Sequence, residues 1–311
     1  MTLPPAPPFD PDKNKNQHHV PQLWQQRFAN SAGRVYGRYR AEADPIRERH
    51  PRRAGKARQV NVAKTMAADW IYTVFDRWWR PSNALEAALS KDEGRIAYVY
   101  DQVADPAAPI SAQIRLDLCQ ALGLAACRTP EVMGRGHRRA KELAWAAAEV
   151  HSHADKAAYF AAIRSKFGVE LTEEDYDKFR SRTTKQLLEE ASWIEGLSPQ
   201  APELPEQIAL LGAGLVGNIM ESMQLTLLQA PDPLHFVLGD TPLPDAGLIH
   251  GFIVPISASV ALQAETPEAA PKQSVRRRIA SVQEVEMVNI QQYDMCRDVI
   301  IGPDPAVLDA F

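Results

Sequence analysis

The residues best suited to chemistry stand near the two ends of the chain. Gln17, His18 and His19 lie just ahead of Pro21, which suits the first turn of a helix because its missing N–H costs nothing there. An imidazole in that place can cap free N–H groups, or it can project into a cleft beside the positive end of the helix dipole. Late in the chain, FVLGDTPLP (236–244) runs an apolar strand into an acid followed by Thr-Pro. The pattern sets Asp240 at a strand end, either as a site carboxylate or as the first residue of an Asx turn.

A third stretch, QIALLGAGLVGN (207–218), spells G-x-G-x-x-G with Gly212, Gly214 and Gly217, and Asp240 follows 23 residues after the last glycine. A strand–turn–helix there would be the first turn of a dinucleotide-binding unit, with NAD or FAD as cofactor. The rest of the chain lacks the alternating β and α units that such a fold needs. The alternative is one continuous helix over 207–229, packed closely on a neighbour through Gly214 and Gly217.

Charge adds a fourth candidate. The 311 residues carry a net charge of −4, so the molecule as a whole has no strong pull toward nucleic acid or membrane. Between Arg34 and Arg58, however, nine Lys/Arg stand against three Asp/Glu. Arg47, Arg49, Arg52, Arg53, Lys56 and Arg58 are the candidates for phosphate contacts, with Arg52 and Arg53 at the centre. A solvated loop would show the same composition.

The elements that must position these groups follow from periodicity. Residues 1–16 hold five prolines and no apolar run, and read as a disordered tail without a secretory signal. The rest, 17–311, reads as a single α-rich α+β domain: a helical body over about 62–230, then a strand-rich part over about 231–311. Helices are predicted at 65–79, 82–104, 110–126, 137–165, 172–195 and 205–229, with a last one at about 280–297. Strands are predicted at 33–40, 234–240, 248–257 and 258–264, and the basic segment 41–58 is read as a loop. A small sheet would then be built from both ends of the chain. Cys119, Cys127 and Cys296 are odd in number, widely spaced and set among apolar residues, which argues against a disulfide framework or a zinc site. No apolar run reaches the ~20 residues of a membrane span, and these features together predict a cytoplasmic protein that does not engage a membrane.

Taken in order, these pieces resemble the bacterial family named domain of unknown function 4238. The opening Gln17-His18-His19-Val20-Pro21 with Phe28 matches its Gln-His-x-Val-Pro, and the late Gly239-Asp240-Thr241-Pro242 matches its Ser-Asp-Asn-Pro strand end. The resemblance also implies a helix-borne acid at Glu93, an Arg-Thr-Pro at Arg128-Thr129-Pro130, a strand at Pro255-Ile256-Ser257 and an Asn on the last helix, Asn289. It spans residues 17 to about 302. This chain departs from it at Gly239 and Thr241.

Two classes of function are compatible with this set. If His18, Glu93, Arg128 and Asp240 converge, a His with one or two carboxylates could act as a general base or hold a divalent cation. Gln17, Arg128, Arg52 and Arg53 would then bind the substrate, a phosphorylated small molecule or a nucleic acid, and the protein would be a hydrolase or a nuclease-like enzyme. Alternatively the polar set is a buried network and the basic loop is the contact surface of a non-catalytic binding protein. The glycine motif supplies the third reading, a dinucleotide-dependent oxidoreductase.

Overall fold

The structure, a computed structural model, describes residues 16–69, 72, 74–75, 81–82, 84–129, 132, 142–168, 170–195, 214, 216–244, 248–266 and 274–311. Residues 1–15 of the expected tail, Pro130, and 207–213 with Gly212 lie outside them.

The chain opens with β1 (Asn16–His18), a short helix α1 (Gln22–Gln25) and a 3₁₀ turn at Gln26–Phe28. Strands β2 (Tyr36–Tyr39) and β3 (Arg58–Gln59) flank the basic segment, and β4 (Ala67–Asp69), β5 (Val74–Phe75) and β6 (Pro81–Ser82) follow. Two long helices, α2 (Ala84–Ala104) and α3 (Ala112–Cys127), come next. A helical stretch at 142–148 (α4) leads to α5 (Lys156–Phe167), α6 (Glu173–Arg180) and α7 (Thr184–Glu195). After helical residues 216–221 (α8) come β7 (Gln224–Gln229), β8 (Leu238–Gly239), β9 (Phe252–Pro255), β10 (Val260–Glu265) and β11 (Arg276–Ile279). Helix α9 (Val282–Met295), β12 (Val299–Gly302) and α10 (Pro305–Asp309) close the chain.

The fold is α+β, and the described residues include two small four-stranded sheets. One has the order β3-β2-β12-β8 and joins both ends of the chain, as expected; the other, β11-β7-β10-β9, comes entirely from the last third. Among the described residues the main core packs α2, α3 and the second sheet around Trp24, Phe28, Tyr100 and Leu118. Helices α4 to α7 close a separate core around Tyr159, Ile163, Phe179 and Leu187.

Several expected helices are not helices. Within 65–79 the described residues include β4 and β5, because β4 pairs with β1, a partner some fifty residues away that local periodicity cannot reveal. Within 205–229, residues 224–229 form β7, not the end of a helix. QLTLLQ is buried on both faces, so its run of apolar residues carries no period that separates strand from helix. The helix expected at 137–165 is broken by a 3₁₀ turn at Val150–Ser152, and α5 restarts on its own N-cap, Asp155. The one expected at 172–195 splits at 181–183, because Thr172 caps only α6 and a second cap, Thr183, opens α7. The strand expected at 234–240 is reduced to Leu238–Gly239. Helix α9 takes its place alongside: Asn289 and Gln292, one turn apart, bond the backbone of residues 235–242. Basic β11 was not expected as a strand.

Candidate functional site

The N-terminal histidines are held by long-range partners. β1 lies antiparallel to β4, and the N–H groups of His19 and Val20 both point at the carbonyl of Met66. Met66 is buried yet sits at φ 53°, in the left-handed region that a non-glycine residue occupies only under strain. Gln25 ties the turn shut by donating to the carbonyls of Val20 and Thr65. Gln17, also buried, accepts a short hydrogen bond from the Tyr72 N–H through its Oε1.

Arg128 caps the C-terminal end of α3 and is 1% exposed. Its Nε donates to Tyr72 Oη at 3.1 Å and its Nη2 to the His18 carbonyl at 3.1 Å, with the guanidinium carbon 5.2 Å from the centre of the Tyr72 ring. Glu93 on α2 faces the same guanidinium at 3.6 Å. His18, Gln17, Glu93 and Arg128 therefore come together, with Tyr72 between them.

The two histidines differ in character. His18 places Nε2 at 3.0 Å from the Val62 carbonyl, an acceptor, so Nε2 carries the proton and Nδ1 keeps its lone pair toward Gln22 at 3.4 Å. Burial lowers the His18 pKa, against the Val62 bond and with help from the Arg128 charge. His19 is more deeply placed. Burial first, then His18, Arg128 and Arg297, push its pKa down to about 3, and its buried Nδ1 has no hydrogen-bond partner among the described residues.

Asp240 is 3% exposed. Its carboxylate accepts the backbone N–H groups of Arg297 (2.7 Å), Asp298 (2.8 Å) and Val299 (3.3 Å), which pins the end of β8 to the start of β12. Burial raises its pKa to about 6 although the three N–H donors pull the other way. A carboxylate committed to three N–H groups is not placed to hold a ribose, so the acid that would complete the glycine motif is already used. Gly239 explains one departure from the family pattern: a Cβ there would lie 2.8 Å from the Gln292 carbonyl oxygen. At the glycine motif itself, Gly217 lies against the α3 backbone at Cys119, as expected, whereas Gly214 faces open space.

The basic segment divides in two. Arg38 and Arg40 reach inward, to the carbonyls of Gly55 and Leu308 and of Cys296 and Tyr293. Arg58 forms a two-pronged ion pair with buried Asp44, at 2.7 and 2.8 Å, so it is not free for phosphate. Asp44 also accepts the N–H groups of Ile46 and Gly55. Burial works upward on its carboxyl, but these donors outweigh it and hold its pKa below the usual value. Gly55, at φ +73°, makes that turn possible. The result is a flap over 41–58 clasped at its base. On it Arg47, Arg49, Arg52, Arg53 and Lys56 are exposed, against exposed Glu42 and Glu48. Among the described residues none of the five is in an ion pair.

Sequence reasoning missed Tyr72 and undervalued His19. Tyr72 carries no local signal, since its partners are 54–56 residues away. Among the described residues no three of His, Cys, Asp and Glu gather in a way that could hold a metal ion, and no helix is long and apolar enough to cross a membrane. A family model described as protein of unknown function (DUF4238) matches residues 16–305, nearly the whole chain. No match was found among curated proteins or among solved structures.

Proposed function

We propose that this protein, which belongs to the DUF4238 family, binds nucleic acid through the phosphate backbone. The observation that carries this reading is the clasped flap with five exposed cations, Arg47, Arg49, Arg52, Arg53 and Lys56, none of them in an ion pair among the described residues. Asp44 and Arg58 fix its base, so presenting the charges costs little ordering at the moment of contact. Two aromatic rings near the flap are already covered: Arg58 lies over Tyr39, and Arg40 over Tyr293. Such a surface favours phosphate contact over base stacking. The three cysteines, buried as free thiols, support a cytoplasmic setting.

The test is fluorescence anisotropy with a labelled 20-base-pair duplex at low ionic strength. The wild type binds, and the Arg52→Ala/Arg53→Ala variant binds at least about tenfold more weakly, with its unfolding free energy within ~0.5 kcal/mol of wild type. Equal affinity of the two proteins would count against the flap.

A second reading, a phosphodiester hydrolase, is favoured by the half-buried His18 imidazole. Its Nε2–H is committed to a carbonyl and its Nδ1 is left as the basic atom, beside an arginine that bears on an acid. On that reading His18→Asn removes hydrolysis of a phosphodiester and leaves duplex affinity unchanged.

A further inference from the structure

A cleft of about 340 Å³ lies at the edge of the second sheet, and neither His18, His19 nor the flap lines it. Its floor is formed by Leu227 and Gln229 on β7 and Val260 on β10. Ile279 on β11 forms one wall and is 70% exposed, which is unusual for an isoleucine beside so much buried apolar surface. Pro106, just beyond α2, faces it.

One charged group in this cleft stands apart from its neighbours. Arg278 is neutralised by Glu284, with both oxygens bonded at 2.6 and 2.8 Å. Arg277 has no carboxylate within ion-pair distance among the described residues. Its Nη atoms donate to the carbonyls of Val103, Gln102 and Ala108, at 3.1, 3.2 and 3.2 Å. The carbonyls of Gln102 and Val103 belong to the last turn of α2, so the guanidinium caps that helix end and is itself held still. A guanidinium has five N–H donors, so three such bonds leave two for another partner. Burial lowers the Arg277 pKa, with Asp105 acting the other way from a distance. The cation is thus fixed, half-buried and, among the described residues, without a paired anion, beside Leu227, Gln229 and Val260.

We infer that this cleft binds an aliphatic monocarboxylate, its chain on Leu227, Val260 and Ile279 and its carboxylate on Arg277. Octanoate is the probe for this class of ligand. Bound there, octanoate supplies the counter-charge that Arg277 lacks and removes the Ile279 side chain from water. Carboxylate and chain are both required.

Calorimetric titration of the full chain with octanoate, butanoate and octan-1-ol tests this. Octanoate binds at one site, and the other two bind at least about tenfold more weakly, one for want of apolar contact and the other for want of charge. Arg277→Gln removes the preference of octanoate over octan-1-ol. Because that variant also uncaps α2, Ile279→Glu provides the independent check: it alters an exposed side chain, leaves the melting temperature unchanged and weakens octanoate at least about tenfold. No octanoate binding at millimolar concentration, equal binding of octan-1-ol, or an Ile279→Glu protein that binds as wild type would each overturn the assignment.

Discussion

Arg128 shows how a residue chosen for chemistry can carry structure first. Its guanidinium reaches the His18 carbonyl, the Tyr72 hydroxyl and Glu93 from the end of α3, and so joins the N-terminal strand to two helices. Arg128→Ala removes these bonds and the charge facing Glu93 and costs about 3 kcal/mol in urea denaturation, whereas a surface strut would cost under ~0.5. The buried titratable groups give a second test at this scale, with opposite signs. His19 refuses a proton down to about pH 3, while the unfolded chain takes one near 6.5. The stability it contributes is therefore present above pH 6.5 and is lost as pH falls toward 3. Asp240 keeps its proton up to about pH 6, so its contribution is present below pH 3.8 and is lost as pH rises through 6. Between pH 7 and 4.5 each effect is about 2 kcal/mol. His19→Gln should lose less stability than wild type over that acidification, and Asp240→Asn should lose more. Parallel pH profiles for the three proteins would contradict both assignments.

Among the elements, those with local signals were legible and those made by distant partners were not. Helices α2, α3 and α9 and strand β2 stand close to where periodicity put them; in the structure Ser281 and Glu284 form a capping box that opens α9. β4 was hidden because its reason for being a strand is β1, and β7 because both its faces are buried. The site was legible in the same uneven way. His18, Glu93 and Arg128 were marked by type, position or resemblance, but Tyr72, which brings them together, has its partners far along the chain. The glycines sort by the same logic of contact. Gly239→Ala drives a methyl into the Gln292 carbonyl on α9 and costs about 1–3 kcal/mol. Gly214→Ala meets nothing and, standing in a helical turn, stabilises by up to ~1 kcal/mol. Both values are read from urea unfolding curves. A destabilised Gly214→Ala protein would restore the close helix contact expected there.

For the whole molecule the net charge of −4 conceals its most polarised surface. Internal pairing consumes Arg38, Arg40 and Arg58, and what remains exposed on the flap is five cations against two acids. The chain at large repels a polyanion weakly while this flap attracts one, so binding should be local, electrostatic and dependent on salt. Each phosphate contact releases condensed counterions, which makes the number of contacts measurable. The most direct test is duplex affinity measured from about 20 to 200 mM salt. The account predicts a log–log slope near −3 to −4, corresponding to about four contacts, reduced by up to about two in Arg52→Ala/Arg53→Ala. A wild-type protein with no binding at the lowest salt, or a slope that the double substitution leaves unchanged, would contradict it.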